Sequence, residues 1–412
     1  MNIKILFLKK LFLNTLIFIS ALLLYDNVFE VVGYMYLVTY DNYIFRKLIS
    51  ILGLFILTII SISGNEIFDN FSSILILGLY LPVAVVMSKI DFNTYYLFVV
   101  ITSVSCVILS GRVFLAAQNN IVLFKWNLSF DFFKKFIFLL FSLVMFYLFY
   151  LKYSNFTFDA VSTYYNAYKI RAEAEDMGVI NYFYDWFPLI FFPLFYSGNS
   201  RKPGYIFIAF TLFSSFFIFQ IEATKIIILQ SFLILLFSIL YNYKRKINFN
   251  YSPQYFFIFL FLACFISGPI SYPLLDRFFY LIGLNCLFYI DYFSTHNLYF
   301  FFGTKLDLGI SSYNLGLGYL IDNFYYSGGG TNQSAGFMPT AYANLGFFGL
   351  IFCSILLGFI VSWIISFRDR APKFTALVCI SLGFTLMNVD FNMLFLSYGL
   401  IFIIIIPFVI NK

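Results

Sequence analysis

Leu11-Phe12-Leu13-Asn14-Thr15-Leu16-Ile17-Phe18-Ile19-Ser20-Ala21-Leu22-Leu23-Leu24 is a nearly unbroken apolar run, and Lys4, Lys9 and Lys10 precede it. A secretory signal has the same opening but closes on a small-x-small cleavage site. This run passes instead into Tyr25-Asp26-Asn27. The sequence therefore predicts an uncleaved membrane helix with its N-terminus in the cytoplasm. The same texture fills the rest of the chain. Of 412 residues, 62% are hydrophobic, 24% aromatic and 11% charged, whereas an ordinary soluble domain is about 25% charged. That composition excludes a cytosolic globular enzyme, a disordered chain and a disulfide scaffold. The predicted fold class is an all-α polytopic integral membrane protein, organised as a single domain over 1–412.

A helix needs roughly 17–25 apolar residues to cross the hydrocarbon core. Further runs lie near 48–64, 71–87, 95–111, 136–151, 182–198, 205–219, 226–241, 255–271, 341–366, 374–390 and 394–410. With the first, they predict about twelve spans. Basic residues favour cytoplasmic loops. Arg112 with Lys125, Lys134 and Lys135, then Arg201-Lys202, Lys244-Arg245-Lys246, and Arg368, Arg370 and Lys373 alternate correctly if all face the cytoplasm with the N-terminal lysines. This parity keeps Val28–Tyr43 at the outer interface without spanning. It also places both termini in the cytoplasm and leaves two long outer loops, at about 152–181 and 272–340. Loops of that length are usually functional. No internal repeat is visible, which weakens a transporter reading built on two symmetric halves.

The net charge of +6 is accounted for by these loop clusters, so no nucleic-acid partner is expected. The five cysteines, Cys106, Cys264, Cys286, Cys353 and Cys379, form no C-x-x-C pair, which argues against a thiol metal site. His296 is the one histidine, and that excludes a His-cluster metal centre.

The first outer loop reads as a short amphipathic helix over 164–176, with Lys169 and Glu173, and Arg171 and Glu175, four apart. Gly178 would stop it. A solvated surface helix and an anion site built on Arg171 weigh about equally. Glu222-Ala223-Thr224-Lys225 separates two apolar runs with almost no loop. Ionisable groups in such a place are functional candidates, although these two could simply neutralise each other. The second loop carries Asp276-Arg277-Phe278-Phe279-Tyr280, then Asp291-Tyr292-Phe293-Ser294-Thr295-His296, then Lys305 and the triple glycine Gly328-Gly329-Gly330. The glycines either let backbone amides approach a ligand or are slack. By the same parity Arg171, Lys225, Arg277 and His296 gather on one outer face.

In this order, the elements resemble the bacterial O-antigen and capsule repeat-unit polymerases (Wzy-type), polytopic glycosyltransferases of the GT-C class. The likeness covers roughly the C-terminal two thirds. It rests on Arg171 ahead of Gly178, Thr224-Lys225 opening a span, Arg277-Phe278-Phe279-Tyr280 leading into an aromatic stretch, and Asn332 to Gly349 with its Ala341-Tyr342-Ala343-Asn344-Leu345-Gly346-Phe347-Phe348-Gly349 ending. The resemblance implies transfer of a growing glycan from undecaprenyl diphosphate to the terminal sugar of a new lipid-linked repeat unit, at the outer face of a bacterial inner membrane. Fixed cations aimed at a leaving diphosphate stabilise the transition state, which suits Arg171, Lys225 and Arg277. An acceptor hydroxyl needs a general base; His296 is the leading candidate and Asp291 the second. Asp26, Glu30 and Asp41 are wrongly spaced for the acid pair of metal-dependent relatives, so neither metal nor other cofactor is expected. The implied partners are the lipid-linked glycans and the bilayer, with a chain-length regulator left open. An O-antigen ligase and a lipid-linked glycan flippase remain alternatives.

Overall fold

The computed structural model describes residues 3–32, 44–117, 128–152, 186–197, 205–222, 225–243, 249–301, 309, 312–326, 336–390, 393–394 and 399–411. Arg171 with the expected helix 164–176, Lys125, Arg201, Lys202, Lys244, Arg245, Lys246, Lys305, the triple glycine and 331–335 lie outside the described residues.

Apart from a two-residue parallel pairing of Leu128–Ser129 with Ile410–Asn411, regular structure among the described residues is helical. The helices are α1 (Ile3–Val32), α2 (Ile44–Ile60), α3 (Glu66–Met87), α4 (Thr94–Ala117), α5 (Phe130–Lys152), α6 (Phe192–Tyr196), α7 (Tyr205–Glu222), α8 (Lys225–Asn242), α9 (Ser252–Ser267), α10 (Tyr272–Thr295), α11 (Leu317–Tyr325), α12 (Phe337–Ile365), α13 (Pro372–Thr385) and α14 (Leu400–Val409). Short π-helical turns interrupt α3 at Ile76–Tyr80 and α10 at Asp276–Tyr280. Among the described residues six helices are long and apolar enough to cross a membrane, within Ile3–Val32, Glu66–Met87, Thr94–Ala117, Phe249–Ile270, Tyr272–Thr295 and Phe337–Asp369. Five coincide with expected spans. Tyr272–Thr295 falls where a loop was expected.

The single expected domain divides into two compact units: residues 1–117, 250–362 and 383–392, and residues 118–249, 363–382 and 393–412. In the first unit, hydrogen bonds fix which helix ends lie together. Lys10 Nζ donates to Asp69 O and Ser73 Oγ, each at 3.1 Å. Asn14 Nδ2 donates to Thr58 Oγ1 at 3.1 Å, and Gln254 Nε2 to Asn14 Oδ1 at 3.3 Å. Arg112 reaches Ile60 O at 3.1 Å. One end thus gathers the starts of α1, α3 and α9 with the finishes of α2 and α4, and it carries the exposed Lys4, Lys9 and Arg112. This is the basic end. At the far end Lys89 Nζ pairs with Asp26 Oδ2 at 2.5 Å, and Arg46 pairs with Asp91. The finish of α1 and the start of α2 therefore lie at one end; residues 28–32 belong to α1, and 33–43, the rest of the segment read as interfacial, lie outside the described residues.

Local chemistry explains α3, which is buried along its length. Asn65 caps it by accepting from the amides of Ile67 and Phe68 at 3.1 and 3.3 Å, satisfying donors that a helix start leaves orphaned. Within a bilayer, apolar burial between helices gives little drive, so close packing and polar contacts hold them. Gly358 lies so near α4 that a Cβ would sit 2.5 Å from Val107 O. Beside it Ser103 and Ser354 share a hydrogen bond of 2.8 Å, and Ser362 Oγ donates to Gly111 O at 2.6 Å.

Two segments depart from simple spans. α9 starts at the basic end, so its finish lies at the far end, where α10 begins after the Gly268–Ile270 turn. The first half of α10 sets Tyr280 against Tyr25 and Phe29, with ring centroids 5.6 and 5.7 Å apart. Its last turns meet Phe92 at 5.8 Å through Phe288, and Tyr96 through Asp291. All of these partners belong to the far end. α10 therefore begins and finishes at one end of the bundle. Tyr272–Thr295 is therefore a helix where a loop was expected. Asp276, Arg277, Asn285 and Asp291 dilute its apolar pattern, and close packing overrides that: a Cβ on Gly283 would lie 2.5 Å from the Pro82 carbonyl.

The second departure is α12, which breaks at Gly346 (φ 68°, ψ −166°). Beyond the break it runs down α4 to the basic end. Before the break, Phe337 N donates to Leu386 O at 3.1 Å, and the adjoining Met387 occupies the space beside Gly78, midway along α3. Phe337–Leu345 is thus a half-helix climbing from the middle of the bundle to the far end. α13 stops at Thr385, so the expected span 374–390 ends short in a turn beside that half-helix.

In the second unit, Phe138, Phe141, Phe195 and Phe210 form an aromatic knot with neighbouring centroids 5.2–5.5 Å apart. Trp186 packs on Phe402 at 4.6 Å.

Candidate functional site

The last three turns of α10 place Asn285, Phe288, Asp291, Tyr292 and Thr295 along one face by the i, i+3, i+4 spacing of a helix. α11 and the start of α4 cover that face. Tyr326 OH donates to Asn285 Oδ1 at 2.8 Å. Tyr325 stacks on Phe288 at 4.1 Å with its plane tilted only 9°. Asp291 accepts from Tyr96 OH on Oδ1 at 2.5 Å and from Tyr325 OH on Oδ2. Burial first, then the hydrogen bond to Asp291 and its charge, raise the Tyr325 pKa, so the phenol stays a donor.

His296 ends the helix in solvent. Its ring lies on Tyr292 at 4.0 Å with planes 3° apart. Nδ1 sits 2.8 Å from Tyr292 O and 3.0 Å from Thr295 Oγ1. A carbonyl can only accept, so the proton is assigned to Nδ1, and Nε2 meets no hydrogen-bond partner among the described residues. Phe324 stands across the imidazole, with centroids 5.7 Å apart and planes at 76°.

The chain after His296 is tied down. Tyr313 OH donates to Asn297 O at 2.6 Å, and Tyr299 OH to Leu315 O at 3.0 Å. Phe300 and Phe301 both take positive φ, 50° and 62°, a region that L-residues seldom occupy. The amide of Phe301 donates to Asn344 Oδ1 at 2.6 Å, and that of Tyr299 to Ala343 O at 2.8 Å. These bonds hold the strained pair against the half-helix of α12. Burial and the neighbouring Tyr292 push the Tyr313 phenol up to about 12.

The expected site residues do not all meet. Asp291 and His296 share the site. Arg277 is exposed, but it precedes His296 by nineteen positions on the same helix, roughly 28 Å at 1.5 Å per residue, which is too far to serve one bond. Beside it, Asp276 is buried with Oδ1 lacking a hydrogen-bond partner. Lys225 begins α8 in the second unit, and Arg171 lies outside the described residues. Of the expected cluster of four, the first unit holds Arg277 and His296, near opposite ends of α10. Sequence reasoning passed over Tyr96, Phe288, Tyr292, Tyr313, Phe324 and Tyr325. A helical reading of 272–295 would have exposed the Phe288–Asp291–Tyr292–Thr295 stripe; nothing local marks Tyr96, nearly two hundred positions away.

No protein-family model matches the chain, and neither the curated proteins nor the solved structures include a significant match.

Proposed function

We propose that the chain is a membrane glycosyltransferase that polymerises undecaprenyl-diphosphate-linked repeat units at the outer face of a bacterial inner membrane. One observation carries the reading. The single histidine is presented at the end of the bundle opposite Lys4, Lys9 and Arg112, with Nδ1 committed to a carbonyl, Nε2 without a partner among the described residues, and aromatic rings around it. The positive-inside rule puts Lys4, Lys9 and Arg112 in the cytoplasm, and with them the N-terminus; the charge parity of the remaining loops puts the C-terminus there as well. His296 then faces outward.

In the proposed step, His296 Nε2 takes the proton of the acceptor hydroxyl. That oxygen bonds to the anomeric carbon of the growing glycan. The bond from this carbon to the diphosphate breaks, and undecaprenyl diphosphate leaves with the electron pair. Asp291, with both oxygens accepting from phenols, is better suited to anchoring the helix than to taking a proton. Arg171 and Lys225 stay expected diphosphate ligands on sequence grounds alone, and no position relative to His296 is assigned to either. Arg277 sits at the other end of α10 and can at most meet a distant part of the lipid carrier. No metal is invoked.

A second reading, a lipid-linked glycan flippase, draws support from the half-helix of α12 and the neighbouring turn after Thr385, because interrupted helices frequently build transport sites. An O-antigen ligase would use the same donor chemistry. Membranes bearing the chain and supplied with lipid-linked repeat units should yield a ladder of longer glycans. His296→Ala should slow it by about 10²–10⁴-fold, the usual worth of general-base catalysis. In a deletion strain, lipid A core capped by one repeat unit supports polymerisation. Absence of any surface repeat favours the flippase, and long chains stranded on the carrier favour the ligase.

A further inference from the structure

We propose that Phe324 is the stacking platform for the acceptor sugar, holding one ring face so that a hydroxyl points at His296 Nε2. The inference rests on the glycosyltransferase reading and adds the substrate contact which that reading lacks.

Phe324 is 59% exposed, yet it is fixed on three sides. Its centroid lies 5.1 Å from Tyr292 at 79°, 4.9 Å from Tyr325 at 66°, and 5.7 Å from His296 at 76°. An exposed phenylalanine normally gains nothing from being held still. A preorganised one binds without the ordering cost that a free side chain incurs.

The surroundings select the ligand. A pyranose has an apolar face of C–H bonds and a rim of hydroxyls. It therefore calls for an aromatic face with hydrogen-bonding groups set around it, the pattern of a site that orients its ligand through few polar contacts. Phe324 supplies the face. The imidazole stands at 76° to it, with its acceptor nitrogen meeting no partner among the described residues. The exposed Ser294, Thr295 and Asn297 follow along the chain on the His296 side, and the exposed Asn323 precedes Phe324 on α11. A ring meant only to sit among lipid headgroups would not need an imidazole set edge-on across it.

The test uses the full chain in nanodiscs. The probe is the oligosaccharide released by mild acid from lipid-linked repeat units of the source strain. Saturation-transfer NMR should show the sugar C–H protons in contact with the wild-type protein. Phe324→Ala should weaken binding about tenfold, the scale of one aromatic contact, and raise KM for the acceptor with kcat little changed. Phe324→Trp should retain both. Unchanged binding and KM in Phe324→Ala would overturn the proposal, and a ring that matters only for retention in the bilayer would be an interfacial anchor instead. If the wild type binds the oligosaccharide through Phe324 but forms no polymer, the sugar site stands and the polymerase reading fails. If Phe324→Ala forms polymer with the wild-type KM for the acceptor, the polymerase reading stands and the sugar site fails.

Discussion

The course of α10 makes a sharp topological prediction. Ile270, 90% exposed in the turn before the helix, and Ser294, exposed near its end, are separated by twenty-four positions. A straight helix of that length measures about 36 Å, more than the roughly 30 Å hydrocarbon core. If α10 crossed the membrane, the two would face opposite compartments. The contacts with Tyr25, Phe92 and Tyr96 instead return both to the far end of the bundle. Ile270→Cys and Ser294→Cys should therefore react with an impermeant thiol reagent from the same side of sealed vesicles, while Lys4→Cys reacts from the other. The background should be low, since Cys264, Cys286, Cys353 and Cys379 are buried and Cys106 is only partly accessible. Cys286 in particular should stay unlabelled from either side. Labelling of Ile270→Cys and Ser294→Cys from opposite sides would refute the assignment. It would also remove His296 from the face shared with the start of α10.

Two further outcomes follow from the backbone and from the phenols. Gly346→Ala places a Cβ at φ 68°, ψ −166°, a conformation essentially reserved for glycine, and should cost about 1–3 kcal/mol in thermal unfolding of the nanodisc-embedded protein; an unchanged midpoint would mean the break in α12 is not as described. Tyr313 ionises near 10.0 when free and near 12 when folded, so whatever stability it contributes is complete below pH 10 and fades as pH rises from 10 through 12. Phenolate absorbance should therefore show a group of tyrosines titrating late, and Tyr313→Phe should lower the amplitude near pH 12 by one phenol while Tyr325 and other buried phenols still titrate late.

Much of the first unit was legible because long apolar runs leave few alternatives to helices, and basic residues mark their ends. The 48–64, 71–87, 95–111 and 255–271 runs all became helices near those bounds. Three features were not legible. α10 carries enough polar residues to read as loop, and only the glycine contact at Pro82 and the phenol bonds to Asp291 make it a packed helix. The break in α12 depends on one glycine within Ala341–Gly349, where either of two glycines would serve. Asp291 and His296 were found from residue type alone. Their partners come from α4 and α11, and a single sequence carries no signal of such distant pairing.

Lys10 is 1% exposed, about two turns inside α1, and both of its hydrogen-bond acceptors lie on α3. When α1 is first made, α3 does not yet exist. An ammonium lodged that deep in lipid is expensive, by about 2.5–3.5 kcal/mol on insertion scales at mid-bilayer. The newborn helix must sit high, with Lys10 reaching back toward the headgroups. It can settle to its final depth only once Asp69 and Ser73 emerge to receive the charge. Biogenesis of the bundle is thus tied to the order in which its first helices are synthesised.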